Sequence, residues 1–142
     1  MDTINNTKSV ELFLYEEGYS INSERFYREE IYNLEKKLSD EPKSVGSLCD
    51  WIANYHELAL IYQQKGDVVQ AQKCLLIPNK SMLYMAQNHN GDKEWEEIAF
   101  KALGLTLPPL LAFTEAHPPC KQCINELKSQ LALIESHKKT HH

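Results

Sequence analysis

Two cysteines three positions apart, Cys120 and Cys123, follow a histidine and two prolines in the run His117-Pro118-Pro119-Cys120-Lys121-Gln122-Cys123. A CxxC pair at the start of a helix can do dithiol redox chemistry, because free N–H groups and the helix dipole stabilise a thiolate. It can equally give zinc two sulfur ligands, with His117 as a third and Cys49, Cys74 or another histidine as the fourth. Against both, the chain has no second CxxC and lacks the βαβ setting of a thioredoxin-like motif. On a helix Cys123 also shares the apolar stripe of Ile124 and Leu127, where cysteine serves as a small core residue. Packing is therefore the expected role. His117, Cys120 and Cys123 are weak metal candidates, and no metal or cofactor is expected.

His56 lies between Tyr55 and Glu57 in a strongly periodic stretch. Adjacent helical residues point about 100° apart, so Glu57 is not aimed at the imidazole and a surface histidine is expected. Cys49 and Cys74 follow helical spacing and are expected to pack. The chain contains no phosphate-binding glycine loop, nucleophile elbow, HExxH or calcium loop. No enzyme is expected.

The 142 residues, 42% hydrophobic and 25% charged, suit one domain with a real core. A net charge of −5 excludes the basic surface that nucleic acid requires. No apolar run approaches the roughly 20 residues of a membrane span, and the polar opening Met1-Asp2-Thr3 shows no secretory pattern. The expected setting is the cytoplasm, with reduced thiols and neither a membrane nor a nucleic-acid partner.

The elements that hold these residues read as helices throughout, with no sustained two-residue alternation. A first helix is predicted over 5–17, ended by Gly18, and a second over 23–38, with Phe26 or Tyr27, Ile31, Leu34 and Leu38 inward. The other face of that second helix, including Glu29 and Lys36, reads as solvated. After the linker around Pro42, Ser44 or Ser47 starts a third helix. Trp51, Tyr55, Leu58, Ala59 and Tyr62 then recur at three- and four-residue steps. Gly66 ends that helix, and Asp67 with Gln70 forms a capping-box pattern for a fourth. Val68, Ala71, Leu75, Met82, Met85 and Ala86 keep its phase to about Asn88, with a kink expected at Pro78. Asn90-Gly91 turns the chain and Asp92 caps a fifth helix, closed by Gly104. Pro108-Pro109 opens a short sixth element, and a seventh runs from Cys120 to Ser136. Residues 1–136 form the predicted domain, and 137–142 a polar tail that frays.

The stretch from Trp51 to Asn88 resembles a tetratricopeptide repeat, a helix–turn–helix unit of about 34 residues. Tyr55, Leu58, Ala59 and Tyr62 match the first helix of that family, Gly66 its turn, and Ala71 and Leu75 its second helix. Pro78 and Leu83 depart from it, standing where the family has a small residue and a terminal proline.

The resemblance implies an all-α, right-handed stack of about seven helices in antiparallel hairpins. It also implies a non-enzymatic adaptor or small chaperone that holds a peptide or partner helix in a groove lined by first helices. Asn54, His56, Glu57 and Gln63 on the first helix, with Lys80, are the candidate partner-binding residues. The rivals are a metal or thiol-redox protein using His117, Cys120 and Cys123, and a self-associating protein that forms a homodimer.

Overall fold

The computed structural model describes residues 23–140, and every regular element within them is helical. The order is α1 (residues 23–40), α2 (Val45–Gln64), α3 (Val68–Gln87), α4 (Lys93–Ala116) and α5 (Lys121–Thr140). The expected all-α class holds. The helix predicted over 5–17 and its Gly18 stop lie outside the described residues.

The turn between α2 and α3 is built as its residues dictate. Gly66 has φ +79°, a left-handed backbone that only glycine adopts without strain. Its N–H donates to the Gln63 carbonyl at 3.0 Å, and the Asp67 N–H donates to the Tyr62 carbonyl at 2.8 Å. This paired closure is the Schellman motif. Asp67 then accepts the Gln70 N–H on its carboxylate at 3.2 Å and caps α3. The box is only half formed, since the Asp67 N–H is already committed to Tyr62. Ser44 caps α2 and Asp92 caps α4 by the same side-chain acceptance. Asn90 and Gly91, both at positive φ, make the turn between α3 and α4.

Helix count is where sequence and structure part. The sequence reading breaks the chain at Gly104 and Pro108-Pro109, whereas α4 runs through all three. Five helices therefore stand where six were to be expected over this stretch. Pro108 and Pro109 lack the N–H groups that would reach the carbonyls of Gly104 and Leu105. Gly104, Leu105 and Pro108 are all exposed, so the freed carbonyls lie on the solvent side, where water replaces the lost donors. On the opposite side Leu103, Thr106, Leu107, Leu110 and Phe113 are buried, and that packing holds the helix together. Burial overrides propensity here. Pro78 likewise sits inside an unbroken α3. The merged α4 has the length and apolar composition to cross a membrane, yet its apolar face is packed in the protein core.

Helix α3 packs against both α2 and α4, and α2 touches α4. Between them lies one core, containing Trp51, Leu58, Ala59 and Tyr62 of α2, Ala71, Leu75 and Met82 of α3, and Ala99, Leu103, Leu110 and Phe113 of α4. From α1, Ile31 and Leu34 join it, with Tyr27 partly buried; Phe26 faces out at 56% exposure, so Tyr27 takes the inward place. Polar contacts fasten α1 to α2. The Tyr62 hydroxyl donates to Glu24 at 2.5 Å and receives the Arg28 guanidinium, while Lys65 pairs with Glu24 at 2.8 Å.

Helix α5 rests Leu127, Leu133 and Ile134, all partly buried, against the core, and Gln130 is its one buried residue. Residues 137–140, expected to belong to a fraying tail, are helical. His137 stacks on Phe100 of α4, with ring centroids 3.8 Å apart and planes 5° from parallel. It also lies 3.4 Å from the Glu96 carboxylate, and these contacts extend the helix to Thr140.

Candidate functional site

A groove of about 360 Å³ opens between α2 and α4, with α3 at its floor. From α2 it takes His56, Ala59, Leu60 and Gln63, and from α3 Leu75. Pro109, Ala112, Phe113, Ala116 and the capping residue His117 complete it. Each side chain is placed by helical spacing. His56, Ala59, Leu60 and Gln63 fall at three- and four-residue steps along α2, and Pro109, Ala112, Phe113 and Ala116 do the same along α4. The alanines keep the walls low, so that the space between the helices stays open.

His56 is the distinctive group. Its Nε2 is buried and has no hydrogen-bond partner. Desolvation lowers the imidazole pKa, only partly opposed by the nearby Glu57 carboxylate, and favours the neutral ring. A neutral imidazole offers one donor and one acceptor. Here one nitrogen waits, dry, in a mostly apolar groove. His117 borders the same space, its ring 4.8 Å from that of Phe113. The groove can thus receive an apolar group carrying one hydrogen-bonding function.

Of the residues picked out from sequence, His56 and Gln63 line the groove. The expectation of a surface histidine fails for His56, because α4 covers what α2 alone would leave open. Asn54 turns back on its own helix, donating to the Asp50 carbonyl at 2.7 Å. Glu57 and Lys80 are exposed and stand outside the groove lining. The structure does not gather the five into one site. Sequence reasoning missed Phe113, Ala112 and Ala116, because it ended the helix that carries them too early. The signal was available in the three-residue step from Pro109 to Ala112 and the four-residue step on to Ala116.

The cysteines separate into three environments. Cys74 is buried, and desolvation pushes its thiol up to about 11. Cys49, expected to pack, is exposed, because its step along α2 points away from α3. Cys120 is exposed and Cys123 half-buried, with their sulfurs 3.2 Å apart. Packing is thus not the role of Cys120. Among the described residues, no three His, Cys, Asp or Glu side chains converge as a metal ion requires. His117 borders the α2–α4 groove instead.

A larger concavity of about 600 Å³ runs along α1, bounded by Glu24, Arg25, Arg28, Glu29, Tyr32 and Asn33. Among the described residues only α1 lines it, whereas three described helices wall the more enclosed α2–α4 groove, which is therefore the stronger candidate.

A family model described as Protein of unknown function (DUF2753) matches residues 14–141 and so spans every element above. No curated protein and no solved structure matches the chain.

Proposed function

The chain belongs to the DUF2753 family, proteins of unknown function, and on that premise we propose that it is a non-enzymatic interaction module. In this reading α2 and α3 form a tetratricopeptide-like unit, and α4 takes the place of the next repeat's first helix. The α2–α4 groove then holds a peptide segment of a partner protein. An apolar side chain fills the space over Ala59 and Phe113, and a main-chain amide of the same segment pairs with His56. Gln63 and His117 contact the segment at the rim. The observation that carries this reading is the buried, unpartnered Nε2 of His56 at the groove wall. An unsatisfied buried nitrogen costs about 1–3 kcal/mol, which a bound hydrogen-bonding group would recover. Helical grooves bind peptides through such a mix of apolar burial and a few fixed polar contacts.

The test is site-specific photocrosslinking in the native cell. A crosslinker at Gln63 should capture a defined protein, and one at Tyr84, exposed on α3, should not. Ala112→Leu with Ala116→Leu fills the groove from exposed positions and should abolish the Gln63 adduct without lowering the melting temperature. An adduct that survives this filling refutes the groove assignment.

A further inference from the structure

The paired thiols at the head of α5 are not used by the groove. Cys120 directly precedes the helix, and its carbonyl accepts the Ile124 N–H at 3.1 Å. That is the capping position, normally held by Ser, Thr, Asp or Asn, whose side chain accepts an N–H from the first turn. Here a sulfur stands in that place, and the Cys123 N–H holds its pKa down. A thiolate accepts hydrogen bonds better than a thiol, so the cap itself selects the ionised form. Residues three apart on a helix share a face, and the two sulfurs, 3.2 Å apart, need close by only about 1.2 Å to reach a bond length near 2.05 Å.

We propose that Cys120 and Cys123 form a reversible redox dithiol, with Cys120 as the attacking thiolate and Cys123 as the resolving thiol. The oxidant class is a low-molecular-weight disulfide, RSSR. Cys120 loses its proton to solvent and attacks one sulfur of RSSR, breaking the S–S bond and releasing one thiolate. Cys123 then gives up its proton and attacks the Cys120 sulfur of the mixed disulfide, releasing the second thiolate. The protein loses two electrons and two protons, and RSSR becomes two RSH. Local electrostatics divide the roles in the same sense. The Cys123 N–H and S–H hold the Cys120 thiol below the usual cysteine range, and the bond to Cys120 raises Cys123. Exposure agrees, since the attacking sulfur is the open one and the resolving sulfur is half-buried.

The full chain would be equilibrated in mixtures of reduced and oxidised glutathione, quenched with acid, alkylated and mapped by mass spectrometry. An intramolecular 120–123 disulfide should appear in a single transition, with Cys74 reduced throughout. Cys123→Ser should trap glutathione on Cys120, and Cys120→Ser should abolish the disulfide. Iodoacetamide should alkylate Cys123→Ser at least tenfold faster at neutral pH than Cys120→Ser. The wild-type map stands even if a variant fails to fold. A pair that stays reduced at every glutathione ratio overturns the proposal, as does preferred glutathionylation at Cys49 or faster alkylation of Cys123.

Discussion

Asn79 of α3 and Gln130 of α5 exchange two amide hydrogen bonds, each 3.0 Å long, although they lie 51 residues apart in the chain. Thr106 of α4 joins them, accepting from the Asn79 amide at 3.2 Å and donating to the Leu103 carbonyl at 3.1 Å. All three residues are buried. Gln130 is the one buried residue of α5, and this pair joins Leu127, Leu133 and Ile134 in fixing where that helix docks.

Gln130→Ala should therefore remove both of the Gln130 bonds from the Asn79 side chain, leaving it only Thr106, and cost about 1–3 kcal/mol. The loss should be concentrated in α5, read as faster amide exchange there than in α2 or α3. Replacing both residues with leucine should cost less than the single truncation, since no buried amide is then left unsatisfied. Equal exchange across all helices in Gln130→Ala would show that α5 unfolds only with the rest.

Glu24 gives the pH prediction. Its hydrogen bonds from Lys65 and Tyr62 lower its pKa from 4.5 to about 2. A depressed carboxylate pKa contributes stability above the unfolded value, and that stability is lost as pH falls through the folded value. The gap between wild type and Glu24→Gln should thus be full at pH 7 and close as pH falls from 4.5 towards 2. Partial exposure screens the pair, so the full gap should be about 1 kcal/mol. Urea titrations of both proteins at pH 7 and in acid would measure it; a gap that widens in acid contradicts the assignment.

His56 titrates with the opposite charge change. Burial lowers its folded pKa below the 6.5 of the free group, so the unfolded chain binds more protons in mild acid. Stability from this site is present above 6.5 and is lost as pH falls below it. His56→Leu should melt at or above the wild-type temperature at neutral pH and lose less stability on acidification, while failing to bind a groove ligand. A variant that melts well below wild type at neutral pH would mean that the nitrogen has a partner after all.

Ala71 has no exposed surface and sits in the core shared by α2, α3 and α4. Ala71→Leu should overpack that core and cost about 1–3 kcal/mol. An unchanged denaturation midpoint would show that the hairpin has slack which its small residue does not suggest.

Much of the fold could be read from neighbouring residues. Gly66, Asp67, Ser44 and Asp92 act on backbone groups within three or four positions, so their caps and turns were legible from sequence. Gly104 and Pro108-Pro109 carry equally strong local signals, but α3 outweighs them by burying the far side of α4. The site was half legible. His56 and Gln63 were found because α2 is strongly periodic, yet the burial of the His56 nitrogen depends on α4, a distant part of the chain. The Asn79–Gln130 pair went unseen for the same reason, though one clue existed: Asn79 interrupts the apolar stripe between Leu75 and Met82 of α3.

The way α3 packs on the helix before it and the helix after it bears on how the chain finds its structure. Contacts between consecutive helices close short loops, and proteins dominated by such local contacts fold in about microseconds to milliseconds. The α2–α3 hairpin needs only the closure of Lys65-Gly66-Asp67 to begin, and α4 can add to a surface already formed. The Asn79–Gln130 link spans 51 residues and must wait until α5 has emerged. On the ribosome, the three-helix core can therefore assemble as soon as Phe113 has emerged, and α5 is left to latch onto a finished scaffold. The paired thiols at its head would reach their places only after that core has formed.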